Sequence, residues 1–487
     1  MKRVVLSGVA WVGGTMFLVR SVRYVALLVL GALLGPSDFG LFAALYVVID
    51  GLAMLQGFGI GHALVVHRGD DEKAADTAFY LAFGVAAGLA LIAWFVAPHV
   101  SSFYNEPRIT APFRAALLIL LAQALRLVPL RMFEKTLEFR KKLVPSLTGS
   151  VAYVAVALFL ALRGAGVWAL VCGELASVGG EALVYWLISP WRPRFRFDPR
   201  IARSLLSFGW AVLGGSVLVF AFRNIDRVTL SRVVGTAELG VYAFAYALAG
   251  LPATLLVRIL NTVLFPAYSS LGEDRGKQGE LYFRACSYMA AAGVLYALGL
   301  ATFGGPFLTA MYVDKWAAAV VPLSILGVLS FFKAQGGLLG DLLVATGHPT
   351  EFRRITLLQV VLAAAGVLFA AVRWGLAGVA VTMTAAAAVA TVFGWRAVAR
   401  VLGVGGAPFA RAFGGPLFAA VVSLWPARWL AGVAADAGGL APVVAGVLAM
   451  TAVFSAVWYA VDGHLRSDVA TWRSRNDPAG SGGGRTD

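Results

Sequence analysis

Seven basic side chains interrupt the apolar stretches of this sequence: Arg20, Arg23, Arg126, Arg223, Arg227, Arg258 and Lys333. A guanidinium at the centre of a membrane-spanning helix costs about 2.5–3.5 kcal/mol on insertion scales, so such residues face a bundle interior or a wet cavity rather than lipid. Arg20 and Arg23 stand three positions apart, on one helical face, where like charges repel unless anions are near. Asp50, on the next apolar stretch, is the nearest acidic candidate. Arg223, Asp226 and Arg227 follow an i, i+3, i+4 spacing that lets Asp226 partly neutralise its neighbours, and Asn224 adds a polar group beside them. Arg258 and Asn261 form a further polar face, and Glu174, Glu181 and Asp341 complete the acidic set within apolar stretches. The surplus is cationic, and guanidinium groups bind phosphate bidentately. The expected chemistry is recognition of an anion by a cavity lined with Arg20, Arg23, Arg126, Arg223, Asn224, Arg258 and Asn261. Asp50, Asp226 and Glu174 are expected to pair charges or carry coupling protons; Arg227, Lys333 and Asp341, near the ends of their stretches, read as interhelical pairs or snorkelling side chains.

The elements that position these groups are transmembrane helices. Of the 487 residues 60% are hydrophobic and only 13% charged, against about 25% charged in soluble domains. A span needs ~20 mainly apolar residues. Fourteen candidates fit, at about 7–34, 39–63, 77–98, 111–132, 144–162, 166–189, 205–231, 238–265, 286–311, 316–345, 355–372, 376–398, 412–431 and 440–462. With the N-terminus in the cytoplasm, most Lys and Arg fall on cytoplasmic connections, including the run Arg140, Lys141 and Lys142. The opposite connections carry few, such as Arg108, Arg163, Lys315 and Arg373. This alternation supports fourteen spans with both termini cytoplasmic, and it explains the net charge of +15 without nucleic acid. Met1-Lys2-Arg3 opens an apolar segment reaching Leu34, too long for a signal core, so this segment reads as a retained helix. Cys172 and Cys286 read as buried hydrophobes, and no metal or cofactor motif is present. Trp191-Arg192-Pro193-Arg194-Phe195-Arg196-Phe197 alternates basic and aromatic residues and reads as a cytoplasmic interfacial segment.

An internal repeat organises the spans. Arg23 followed by Gly35-Pro36-Ser37-Asp38-Phe39-Gly40-Leu41-Phe42-Ala43 aligns without a gap on Arg223 followed by Gly235-Thr236-Ala237-Glu238-Leu239-Gly240-Val241-Tyr242-Ala243. An even number of spans separates the copies, so the halves are expected to be parallel repeats. The expected fold is therefore all-α and integral to the membrane. It has an N-lobe at 1–190, a cytoplasmic linker at 191–204, a C-lobe at 205–400, two further helices at 401–465 and a cytoplasmic tail at 466–487, partly disordered. Arg20 and Asp226 have no repeat counterparts, Phe220 and Ala26 standing there instead.

Several stretches resemble one known family. They are Phe39-Gly40-Leu41, Phe58-Gly59-Ile60, Glu138-Phe139 before the basic run, Ser207-Phe208-Gly209-Trp210, Glu238-Leu239-Gly240-Val241-Tyr242, Val263-Leu264-Phe265-Pro266-Ala267, and Lys315-Trp316 with Pro322-Leu323. In this order, over about residues 5–460, they resemble the lipopolysaccharide/exopolysaccharide flippases of the polysaccharide transporter group, colanic-acid-exporter-like, in the multidrug/oligosaccharidyl-lipid/polysaccharide superfamily. The resemblance implies a two-lobed, fourteen-helix transporter with no cofactor, in the bacterial inner membrane. It further implies alternating access and outward movement of an undecaprenyl-pyrophosphate-linked oligosaccharide, with membrane lipids and the polymerase and glycosyltransferases of polysaccharide assembly as partners. A multidrug or cation antiporter of the same fold is the alternative; its cargo would favour a net acidic cavity. An integral glycosyltransferase would need a long outer loop bearing catalytic groups, and a scaffold would not need Arg20 and Arg23 at mid-membrane.

Overall fold

The computed structural model describes residues 2–57, 59–67, 69–136, 138–250, 264, 267–268, 270–272, 274–462 and 465–466. The helices among them are α1 (Lys2–Leu33), α2 (Pro36–Gly57), α3 (Ile60–Val66), α4 (Asp71–Phe103), α5 (Thr110–Ala116), α6 (Leu118–Lys135), α7 (Leu143–Leu162) and α8 (Val167–Ile188). After them come α9 (Pro199–Val233), α10 (Thr236–Ala249), α11 (Arg275–Tyr312), α12 (Val320–Ala345), α13 (Pro349–Leu402), α14 (Ala407–Ala437) and α15 (Leu440–Val461). No strand occurs among the described residues. Ten helical stretches among them are long and apolar enough to cross a bilayer, so this is a multi-pass membrane protein. The long α13 is two helices end to end, because Gly375 interrupts it at φ 57° and ψ −138°. Glycine tolerates that backbone, and the break falls between the two expected spans 355–372 and 376–398.

Polar residues start the helices where the basic connections lie. The Asp70 carboxylate accepts from the Lys73 amide (3.1 Å) ahead of α4, Asp198 accepts from the Arg200 and Ile201 amides ahead of α9, and Asp274 from the Lys277 amide ahead of α11. The aromatic-basic segment after α8 is anchored to the core at its start. Trp191 is buried, its Nε1 donating to Asp76 Oδ1 (3.1 Å), which also accepts from the Arg194 amide (3.2 Å). A buried indole needs such an acceptor, so Trp191 serves the core while Phe195 stays exposed.

The chain divides into two compact units. The first comprises Met1–Leu248, Asp314–Pro322 and Arg353–Ala390, and the second Ala249–Val313, Leu323–Phe352 and Thr391–Asp487. In the first unit α8 packs against α2, α5, α6 and α7, α1 against α7, and α9 against α2, α3 and α4. Small residues allow the close approach of α7 and α8: a Cβ on Gly173 would lie 2.8 Å from that of Ala157. The end of α1 is held by the segment at 314–322. Trp316 Nε1 donates to the Gly31 carbonyl (2.9 Å) and Lys315 Nζ to that of Ala32 (2.7 Å). These carbonyls belong to the last helical turn, which has no partners of its own. The Trp316 ring stacks on Phe244 (4.1 Å) and meets Phe39 edge-on (5.4 Å). In the second unit α11, α14 and α15 pack mutually around Phe303, Ala427, Val443 and Met450. Asp462, at the end of α15, accepts from the Ser287 hydroxyl (2.9 Å) and from Trp458 Nε1 (3.1 Å).

The repeated turns meet each other within the first unit. A Cβ on Gly40 would lie 1.6 Å from the Thr236 carbonyl oxygen, and one on Gly240 would lie 1.8 Å from that of Pro36. The contact is reciprocal and in register with the sequence offset of 200 positions (36 to 236, 40 to 240). Backbone meets backbone there, so no side chain fits. Gly40→Ala and Gly240→Ala should each destabilise the protein by about 1–3 kcal/mol or more, as overpacking does, whereas Gly84→Ala, which meets nothing within 4 Å, should not. Thermal unfolding in detergent checks this; equal melting of all three variants would contradict the close crossing.

Candidate functional site

Two arginines of the first unit, Arg23 and Arg126, meet one face of α8. Glu174, Ser177 and Glu181 recur at intervals of three and four, which aligns them along the helix. Arg23 Nη1 of α1 donates to Glu174 Oε2 (3.2 Å), and its Nη2 donates to the Ser177 hydroxyl. The Arg23 guanidinium also lies over the Tyr153 ring of α7, 4.8 Å from the centroid. Arg126 of α6 donates to Glu181. Tyr46 of α2 sits within electrostatic reach of Glu174, Asp50, Arg23 and Arg126, so these groups form one cluster.

Local sequence explains why the pieces meet. Pro129 has no N–H for the carbonyl four residues earlier, and Trp186 Nε1 donates to that Leu125 carbonyl instead (2.9 Å). This bond ties α6 to α8 beside Arg126. Gly149 of α7 opens the space that seats Glu181: a Cβ there would lie 2.5 Å from Glu181 Cγ and 2.8 Å from the Ser177 carbonyl oxygen. The same proline device recurs in α4. Pro98 leaves the Trp94 carbonyl free, and Arg114 Nε reaches it (3.4 Å) while its guanidinium lies over the Trp94 ring (5.0 Å). In the loop beyond α4, Arg108 grips Glu106 bidentately (2.8 and 3.0 Å), and that hydrogen bonding holds the Glu106 carboxyl below the usual range. Thr236 donates to the same carboxylate (3.3 Å), joining this loop to the start of α10.

Other expected site residues have different surroundings. Asp50 is half-buried and pairs with neither Arg20 nor Arg23; its described contact is the long approach of Asn224 Nδ2 (3.5 Å). Asn224 is buried and donates more closely to the Phe220 carbonyl (3.1 Å). Phe220, which stands where the repeat would place an arginine, packs its ring tip 3.1 Å from where a Gly51 Cβ would be. Asp226 is fully buried, but it does not take up the neighbouring guanidinium groups. Its Oδ2 accepts from the Tyr242 hydroxyl (2.8 Å) and its Oδ1 from the Arg227 amide (2.8 Å). A short side chain in a helix reaches its own backbone more easily than a long neighbour's tip. Arg227 instead lies over the Tyr246 ring (5.1 Å). Arg20 is half-buried and Arg223 exposed, and neither forms an ion pair with a described residue. Arg258 and Asn261 lie outside the described residues. Cys172 and Cys286 are free thiols. Ser177 and Tyr153 were missed by sequence reasoning, and Glu181, though counted among the buried acids, carried no site role there. Its spacing of seven from Glu174 was the available signal.

Comparison with known proteins places this architecture. A family model described as polysaccharide biosynthesis protein matches residues 29–321, more than half of the chain. The chain belongs to the polysaccharide biosynthesis protein family. The succinoglycan biosynthesis transport protein ExoT of Rhizobium meliloti is 24% identical over 64% of this chain and 62% of its own, so the match spans less than two thirds of that relative. The teichuronic acid biosynthesis protein TuaB of Bacillus subtilis is 24% identical over 71% of this chain and 72% of its own. Among solved structures, the lipid II flippase MurJ in an inward closed conformation superposes with a TM-score of 0.72, covering 91% of this chain and 99% of its own at 13% identity. At that identity the likeness establishes the fold.

The partly buried Arg126–Glu181 pair gives a direct test of the cluster. Removing one member of a buried pair strands the other charge. Arg126→Ala and Glu181→Ala should each cost about 2 kcal/mol or more of stability, and the double variant should cost less than their sum by about 0.5–3 kcal/mol. Additive losses in a double-mutant cycle by thermal unfolding would show that the pair is not coupled.

Proposed function

We propose that this protein flips a lipid-linked oligosaccharide with a diphosphate head group, of the undecaprenyl-pyrophosphate class, from the cytoplasmic to the outer leaflet of a bacterial inner membrane. It would thereby supply exopolysaccharide, lipopolysaccharide or capsule assembly. The reading adopts fourteen spans, both termini in the cytoplasm, and alternating access between an N-lobe at 1–190 and a C-lobe at 205–400, with a linker at 191–204, helices at 401–465 and a tail at 466–487. The reciprocal approach of Gly40 and Gly240 supports parallel repeats related by an axis along the membrane normal. Family membership and the transport names of its relatives support a polysaccharide precursor as cargo.

The observation that carries the anionic cargo is the charge balance within the first unit. Glu174 and Glu181 are already engaged by Arg23 and Arg126, while Arg20 and Arg223 have no ion-pair partner among the described residues. A cation entering such a site meets no uncommitted carboxylate except half-buried Asp50. A diphosphate meets guanidinium groups able to bind it bidentately. This balance disfavours the multidrug or cation antiporter of the same fold. In the proposal, Arg20, Arg23, Arg126, Arg223, Asn224, Arg258 and Asn261 contact the head group, Glu174 pairs charge with Arg23, and Asp50 and Asp226 couple transport. Polymerase and glycosyltransferases act before and after the flip. With a cytoplasm-negative potential, each negative charge moved outward gains ~2.3 kcal/mol per 100 mV.

Flipping of radiolabelled lipid-linked oligosaccharide in proteoliposomes tests the proposal. The wild type should flip, and Arg20→Ala combined with Arg23→Ala should slow flipping by about ten-fold or more, the loss of one charge-assisted contact or more. Equal rates would remove the site assignment. Drug efflux without lipid flipping would select the antiporter.

A further inference from the structure

The two ion pairs of the first unit have an asymmetry that bears on how an anion enters. The Arg23 side chain keeps 36% of its surface accessible against 12% for Glu174, and Arg126 keeps 28% against 17% for Glu181. In each pair the cation is the open partner and the carboxylate the shielded one. An approaching anion therefore reaches guanidinium before it reaches carboxylate. Each carboxylate takes only one guanidinium nitrogen of its arginine, and a guanidinium has five N–H donors in a fork suited to phosphate oxygens.

Charge counting points the same way. Arg23 and Arg126 are matched by Glu174 and Glu181, one carboxylate to each guanidinium. A diphosphate can win these arginines only by replacing carboxylates they already hold, since a low-dielectric site rewards each cation–anion contact strongly. The tyrosines within electrostatic reach of these groups include Tyr46 from α2, Tyr153 from α7 and Tyr185 from α8, and none adds positive charge.

We propose that Glu174 and Glu181 are resident competitors for the cargo: they occupy Arg23 and Arg126 in the empty protein and yield them to the diphosphate, which sets the affinity low enough for release. This inference rests on the anionic reading above, and it assigns Glu181 a role that pairing alone does not. Both glutamates act through the arginines and are positioning residues. Seating on Gly149 keeps Glu181 beside Arg126 for re-pairing once the cargo leaves.

The test is titration of farnesyl diphosphate into the full-length purified protein, with farnesol as control. Glu181→Gln should bind the diphosphate about ten-fold tighter than wild type, the gain of one released charge-assisted contact, and Arg126→Gln more weakly. Glu181→Gln should also melt lower when empty yet gain more from added diphosphate than wild type does, which a purely structural role would not produce. Should Glu181→Gln fail to fold, Glu174→Gln carries the same expectation, because Arg23 retains Ser177 and Tyr153. Unchanged or weaker affinity in the folded glutamine variants, with diphosphate still bound by wild type, overturns the competitor role alone. Wild type that binds diphosphate no better than farnesol overturns the anionic reading and the competitor role with it.

Discussion

A guanidinium keeps its charge inside a bilayer, because its pKa is too high for neutralisation to be an escape. Every arginine carried into the helices must therefore find an acceptor, an aromatic face or a wet surface. In the first unit α8 meets that demand: Glu174, Ser177 and Glu181 form one acceptor face, and α1 and α6 bring Arg23 and Arg126 to it. The packing of α1, α6, α7 and α8 around this face follows from it, since a displacement of one helical turn would strand charges on both sides. Stranding is the costly outcome, by several kcal/mol for a buried pair.

Small and cyclic residues make that face reachable. Gly149 and Gly173 let α7 lie close enough to α8 for Tyr153 to sit under Arg23 and for Glu181 to be seated. Pro129 surrenders one helical hydrogen bond, and Trp186 converts the freed carbonyl into a tie between α6 and α8. At the other end of the charge series, Trp316 and Lys315 close the last carbonyls of α1, which fixes the helix that carries both Arg20 and Arg23. Helix-breaking residues thus act here as joints between neighbouring helices, as membrane proteins allow when other donors take over the freed backbone groups.

Much of this organisation was legible in the sequence. Hydropathy marked the helices, basic connections marked their ends, and the repeat was visible as a copied turn at positions 35–43 and 235–243, whose backbone-to-backbone contact at Gly40 and Gly240 only the structure reveals. The lipid-facing and core-facing sides of single helices were less legible, because alanine, leucine and valine fill both. Pairing was the least legible feature. Asp50 is near Arg20 and Arg23 in the sequence, yet Arg23 takes Glu174, 151 positions away, since helix packing brings the acceptor face of α8 to its guanidinium. Asp226 was spaced to serve Arg223 and Arg227, but Tyr242 on α10 offers its hydroxyl at 2.8 Å. Trp191 sits in a segment that composition assigns to an interface, and only the buried Asp76 opposite it reveals a core role.

The central claim is that the guanidinium groups gathered on α1 and α6 receive an anionic lipid head group. A prenyl diphosphate bearing a photoactivatable group next to its phosphates addresses that claim most directly, with crosslinked peptides of the full-length protein mapped by mass spectrometry. The account predicts labelling of α1 around Arg20 and Arg23 and of α6 around Arg126, suppressed by unlabelled prenyl diphosphate and not by prenol. Labelling confined to α14 and α15, or labelling that prenol suppresses equally, would contradict it.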